Sequence, residues 1–394
     1  MPTEAAFFFA GLLFVAAALG YVFARLGQLD DEELGRSGLD YVRGLRFLLR
    51  EQPDRALEAF TTPGELDEDS IETHFALGQM FRKRGEVERA IRVHRDLIDR
   101  PNLRRERREQ AQFALAEDYL SAGLFDRAEA LLAELRSSPR QGTEALRRLI
   151  RLAELTHEWE RAIELHRELE SVDRTAARSG RVAQYLCELA EQARAARDLT
   201  QALAWLDHAG QARQETVRLS LVRAAVAADA GDHEQAILCY QRVAEREPSL
   251  LVDVLPRLSA ACRAGGREAG FSQFLAELLA KDPRAARAVA FATMLDPGIN
   301  DPRAMACLWD FIRADATLQA LVDGERLASM PEPQRAEAME RVRRALRHMA
   351  TAGRSYRCLE CGYTSASLQW QCPGCAAWDV VRPRVRLAFD SGDR

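Results

Sequence analysis

Hydrophobic and polar positions follow two different rules along this chain. From Ala5 to Ala24 there is no charge: AAFFFAGLLFVAAALGYVFA. At helical rise such a run spans roughly 30 Å, the thickness of a bilayer core, and predicts a membrane-spanning helix. From Gly38 onward apolar residues instead recur at three- and four-residue spacing, which predicts amphipathic helices. This second pattern also repeats. YVRGLRFLLREQPDRALEAF (41–60) aligns with FALGQMFRKRGEVERAIRVH (75–94), pairing Gly44 with Gly78, Phe47 with Phe81 and Ala56 with Ala90, each 34 residues apart. The next copy, FALAEDYLSAGLFDRAEALL, puts Ala116, Tyr119, Gly123 and Ala128 in the corresponding places. The register recurs at Ala162, Ala202, Ala236 and, more weakly, Gly270, with spacings of 34, 38, 34, 40, 34 and 34. Two junctions therefore carry insertions, of four and six residues.

Small residues at two fixed places in a 34-residue period resemble the tetratricopeptide repeat. In that reading each unit is an antiparallel helix pair, and the small residues sit where the helices cross too closely for a larger side chain. A glycine in the turn (Gly85, Gly123, Gly231, Gly265) allows a tight reversal. Pro101, Pro139, Pro248 and Pro283 stop the second helices. One pair cannot bury its own apolar face, so the pairs stack into a solenoid. The expectation is an all-α array of seven repeats over 36–283. Residues 284–349 follow as divergent helical repeats forming a cap, broken at Pro331 and Pro333.

Two C-x-x-C pairs lie near the C-terminus, Cys358-Leu-Glu-Cys361 and Cys372-Pro-Gly-Cys375, with ten residues between them. Each pair predicts a knuckle, with Gly362 and Pro373-Gly374 supplying the turn chemistry. Two knuckles brought together make a tetrahedral four-thiolate site, as in zinc ribbons and rubredoxin-like iron sites. The nearby apolar residues are too few for a core of their own, so the metal has to hold this module, 353–383, together. One structural metal ion is expected, zinc, with iron possible; iron would make the module an electron carrier. The tail, 384–394, is expected to be loose.

Composition narrows the rest. The net charge is only −5, and Lys83 and Lys281 are the only lysines. Between 356 and 380 Arg357 stands alone against Glu360 and Asp379, so no basic face argues for nucleic acid. Cys187, Cys239, Cys262 and Cys307 are scattered among helical segments, which fits a reducing compartment. No Lys or Arg precedes the apolar run, whereas Arg25, Arg36, Arg43 and Arg46 follow it. That asymmetry predicts a single-pass anchor, 1–28, with the bulk of the chain facing the cytoplasm. A secretory signal peptide is the rival, but it would want a positive start and a shorter run. No nucleotide, nucleophile-elbow or metalloprotease motif is present, and a four-thiolate metal has no open position, so the chain reads as a binding protein and not an enzyme. His94 and His166, at the same repeat position, read as packing residues.

Anchor, repeats and ribbon, in that order, resemble the lipopolysaccharide assembly protein B family of Gram-negative bacteria. The most specific stretch is YRCLECGYTSASLQWQCPGCAAWDVVRP (356–383), with its Tyr before the first knuckle, Trp before the second, and C-P-x-C followed by Ala-Trp. The resemblance implies an inner-membrane protein whose metal ligands are Cys358, Cys361, Cys372 and Cys375. It implies an adaptor that brings the lipid A biosynthetic deacetylase to the FtsH-type membrane protease, restrained by a membrane regulator through the transmembrane helix. A non-proteolytic scaffold for envelope assembly is the alternative. Candidate partner contacts on the first helices are Gln79, Arg82, Glu117, Arg147 and Arg151. On the ribbon they are Trp370 and Trp378, although as residues of a ribbon they read first as its own core and only second as a binding knob.

Overall fold

The structure, a computed structural model, describes residues 68–176, 180–212, 216–315, 318–319, 329 and 331–385. The predicted anchor, the first repeat copy (41–60) and most of the tail lie outside the described residues. Among the described residues no helix is long and apolar enough to cross a membrane. The chain divides into two compact units, Met1–Thr156 and His157–Arg394.

The first unit contains α1 (Glu68–Lys83), α2 (Val87–Ile98), α3 (Arg105–Ser121), α4 (Phe125–Leu135) and α5 (Gly142–Leu155). The repeat's small positions are where the sequence places them: Ala90, Ala116 and Ala128 are fully buried. Gly78 shows why. A Cβ added there would lie 2.4 Å from the His94 ring. That ring cannot retreat, because His94 is buried and its Nδ1 is hydrogen-bonded to Asp118, itself fully buried and bonded to Arg82. Gly78→Ala is therefore expected to cost about 2 kcal/mol by overpacking. Gly270 is the opposite case: it is exposed, and a Cβ there would meet only the Arg267 side chain, at 4.0 Å. Gly270→Ala should gain about 1 kcal/mol of helix propensity. Denaturant titration of the two variants checks both signs.

The second unit continues the series with α6 (Trp159–Val172), α7 (Arg181–Ala195), α8 (Leu199–Ala212), α9 (Val217–Asp229), α10 (His233–Arg246), α11 (Leu251–Ala264) and α12 (Glu268–Lys281). Ala162, Ala202 and Ala236 are fully buried at the recurring small position. The turns inside the pairs share one geometry, with the middle residue left-handed: Gly85 at φ 81°, Gly123 at 72° and Gly231 at 79°. In the α11–α12 turn that residue is Gly266 (φ 64°) and not the expected Gly265 (φ −88°). The reason is the closing hydrogen bond. Arg267 N donates to Cys262 O at 2.7 Å, as Glu86 N does to Phe81 O at 2.9 Å, and this fixes the left-handed place one residue later. His157 and Arg197 take the same conformation at φ 59° and 64°, so two turns manage without glycine.

Past Pro283 the described residues before the ribbon include three further helices, α13 (Ala285–Leu295), α14 (Pro302–Ala314) and α15 (Glu332–Gly353). Asp301 caps α14 by accepting from the amides of Arg303 and Ala304, with Pro302 in the first turn. Phe291, Met294, Leu308, Ile312, Leu346 and Ala350 form one core with Val252 of α11, so this segment packs against the repeat helices.

Helix α15 runs directly into β1 (Arg354–Cys358), which pairs antiparallel with β2 (Thr364–Ser365) and β3 (Val381–Val385). The sheet order is β2-β1-β3. Arg384 and Val385 belong to β3, opposite Ser355 and Arg354, so the sheet takes in the start of the tail.

Candidate metal centre and partner surface

The two knuckles are built alike. Gly362 N donates to Cys358 O at 3.1 Å and Ala376 N to Cys372 O at 2.8 Å. The residue after each second cysteine is left-handed, Gly362 at φ 78° and Ala376 at φ 59°. Gly374 has a different role from the one its turn suggests. A Cβ on it would sit 3.3 Å from both Cys361 Sγ and the Tyr363 side chain, so glycine lets the second knuckle approach the first.

The four sulfurs all lie within 4.8 Å of one another. Cys358 and Cys375 are 3.7 Å apart and Cys361 and Cys372 3.6 Å. Sulfurs bound tetrahedrally at about 2.3 Å from zinc stand roughly 3.8 Å apart, so the residues present fit a four-thiolate metal ion. Cys358 and Cys372 are buried, whereas Cys361 and Cys375 are exposed. The amide of Cys361, helped by that of Glu360, holds the Cys358 thiol down at about 6, against its desolvation. Such a metal would supply a structural cross-link between the knuckles, and the cysteines present it with a closed donor set. The ribbon's own core is small: Tyr356, Cys358, Cys372 and Val381, with Leu368 and Val380 at its margin. The scattered thiols are different. Burial pushes Cys187 up to about 12 and Cys262 up to about 11, so both stay protonated.

Trp370 and Trp378 are absent from the ribbon core and instead meet the helices. Both rings lie over the Arg218 guanidinium, at 5.4 and 5.6 Å. Trp378 also stands edge-on to Trp159 at 6.0 Å and Tyr185 at 5.7 Å. Arg218 is fully buried on α9. It donates to Gln184 O and Oε1, and to the carboxylates of Glu188 (2.8 Å) and Glu191 (3.2 Å), all on α7. Tyr356 of β1 donates its hydroxyl to Asp253 of α11 at 2.7 Å, and Arg382 of β3 pairs with Glu247 at 3.5 Å. The ribbon therefore sits on the first helices of three successive pairs, the row that lines the groove in tetratricopeptide arrays.

Sequence reading did not single out Arg218. Its signal was present: Gln184 and Arg218 stand 34 residues apart, at one repeat position, and are bonded to each other. A cation in the otherwise apolar start of α9, one period after a polar residue, marks a site where the groove face is covered.

The candidate contacts of the first unit lie on α1, α3 and α5. Gln79 is exposed. Arg82 donates to Glu117 at 2.7 Å and to Asp118 at 2.6 Å, and Glu117 accepts a second bond from Arg148 at 2.9 Å. Arg147 donates to Glu144 at 3.0 Å, and Arg151 to the buried Glu154 at 3.2 Å. Arg82 and Glu117 thus link neighbouring first helices. Of the two histidines read as packing residues, both are buried, and His94 also holds Asp118.

Paired helices in a 34-residue register, carrying a four-cysteine ribbon, define a helical-repeat protein with a rubredoxin-like module. Residues 356–383 match the family described as the rubredoxin metal binding domain. Over 377 residues the chain is 30% identical to lipopolysaccharide assembly protein B of Escherichia coli K12, covering 94% of this chain and 96% of that one. It is 28% identical to the protein of the same name from Haemophilus influenzae, again covering 94% and 96%. A solved tetratricopeptide repeat protein from Parabacteroides merdae is similar at 13% identity and a TM-score of 0.34, covering 61% of this chain and 98% of that one. The chain belongs to the lipopolysaccharide assembly protein B family.

Proposed function

We propose that this chain is a membrane-tethered adaptor in lipopolysaccharide assembly, which limits synthesis by delivering the lipid A biosynthetic deacetylase to an FtsH-type membrane protease. The observation that carries this reading is the likeness, over nearly the whole length of both chains, to relatives named for lipopolysaccharide assembly. The uncharged run 5–24 supports the tether, with the bulk of the chain on the cytoplasmic side of the inner membrane. The ribbon seated on the helices supplies a shaped surface where two proteins can be held together. A membrane regulator acts through the anchor, and no nucleic acid takes part.

The test is the half-life of the deacetylase in cells with the intact gene, without it, and with Cys372→Ser. Longer half-lives in the last two support the adaptor and give the ribbon a part in delivery. An unchanged half-life, at normal membrane levels of the wild-type protein, sinks the adaptor reading and leaves a non-proteolytic assembly scaffold.

A further inference from the structure

A metal ion held by four thiolates treats its ligands alike, but solvent here does not. Cys358 and Cys372, the first cysteine of each knuckle, are buried, and Cys361 and Cys375, the second, are exposed. The exposed pair lies on an open tip. Leu359 is 70% exposed and Tyr363 42%, and Pro373 and Gly374 are exposed as well. Gly374 has no side chain to lay over Cys361 Sγ, which a Cβ would meet at 3.3 Å. The seat on the helices is made elsewhere, by Tyr356, Trp370, Trp378 and Arg382.

The sulfurs also meet across the knuckles, which the C-x-x-C spacing does not suggest. Cys361 Sγ is 3.6 Å from Cys372 Sγ, and Cys375 Sγ is 3.7 Å from Cys358 Sγ. Each exposed sulfur thus has a buried one beside it in the other knuckle. An accessible thiol that meets an oxidant, with a second thiol poised to resolve the product, is the arrangement of redox-sensing cysteines. Metal ligation requires the thiolate, which is also the nucleophilic form. Four thiolates around a divalent ion leave a net negative charge, which favours a small neutral oxidant over an anionic one.

We propose that the ribbon is an oxidative modification site for small hydroperoxides, at which disulfides across the knuckles replace the metal. With hydrogen peroxide, the Cys361 thiolate attacks one oxygen: an S–O bond forms, the O–O bond breaks and hydroxide leaves. The Cys372 thiolate then attacks the sulfur of that sulfenic acid: the S–S bond forms, the S–O bond breaks and a second hydroxide leaves. The peroxide gains the two electrons that the thiolates lose, and the hydroxides are neutralised by the medium. Cys375 and Cys358 react in the same way with a second peroxide. Each disulfide removes two of the four donors, which releases the ion. Because the new bonds join the same two knuckles, the ribbon keeps a cross-link and its seat on the helices. This chemistry is independent of whether the chain delivers a protease substrate, and it is read without any turnover assay.

The experiment treats the full zinc-loaded chain in detergent with hydrogen peroxide and follows released zinc with a chromophoric indicator. After acid quenching and alkylation, chymotrypsin cuts between the knuckles, at Tyr363, Leu368 or Trp370, and the peptides are weighed without reduction. Zinc release is expected, with segments 357–363 and 371–378 still joined and the tryptophan emission unshifted. Dithiothreitol with zinc should restore the starting state. Cys187 and Cys262, buried at 1% exposure and protonated, should react at least about a hundredfold more slowly. Three results would each overturn the proposal: zinc retained after those buried thiols are modified, segments separated with each disulfide inside one C-x-x-C, or sulfinic and sulfonic acids in place of disulfides. A red-shifted emission on oxidation would equally show that the ribbon loses its seat, against the cross-link proposed here.

Discussion

Purified Cys372→Ser protein is expected to keep its helical circular dichroism while losing its metal and the amide protection of residues 354–385. Two of the four buried residues in the ribbon core, Cys358 and Cys372, are among the four cysteines that would hold the metal. Removing one ligand therefore removes core and cross-link together. Binding of a structural metal contributes about 10 kcal/mol or more to folding in comparable small modules, far more than the apolar remainder of this ribbon supplies. The helices do not share that dependence, since their cores run between neighbouring pairs. Hydrogen exchange with metal analysis checks the result. Full protection of 354–385 in the metal-free variant would mean that docking on the helices, and not the metal, holds the ribbon.

Arg218→Met separates those two contributions. The ribbon should keep its metal but lose its seat. Arg218 is fully buried, and its removal leaves Glu188 and Glu191 facing each other without their shared cation. Breaking a buried ion pair from one side costs about 3–5 kcal/mol, and the low end applies because both carboxylates are partly exposed. The rings of Trp370 and Trp378 lose their cation contact as well, worth up to about 2 kcal/mol where water is excluded. Tryptophan emission should shift to the red, and proteolysis should release a metal-bound ribbon. An unchanged emission spectrum and an intact chain after protease would show that Tyr356–Asp253 and Arg382–Glu247 suffice.

The two variants make a physical distinction about what a sequence carries. Features set by short-range spacing were legible. Small residues recurring at 34 positions, or at 38 and 40 where a junction is longer, marked the close helix crossings, and Ala90, Ala128, Ala162, Ala202 and Ala236 are all fully buried. Two C-x-x-C pairs marked the four sulfurs that the structure brings together. The one-residue error at Gly265 is of the same local kind: two adjacent glycines fit the turn equally well by composition, and only the closing hydrogen bond selects Gly266.

What lay beyond reach depends on residues distant in the chain. Tyr356 and Asp253 are 103 positions apart. No periodicity relates the ribbon to the repeats, so nothing local says which helices it covers. Trp370 and Trp378 illustrate the point: on sequence grounds they read first as ribbon core, and they turn out to lie against Arg218 instead. Arg82 and Glu117 were read as candidate partner contacts on the groove face, and only the structure shows that they bond each other across neighbouring helices. The sequence by itself determined the repeat, the knuckles and the family, because backbone conformation and ligand spacing are local properties. Only the tertiary structure decided that a cation is buried beneath the ribbon. Desolvating a charge is favourable only when partners from several elements arrive at one place, and that meeting is a property of the folded chain.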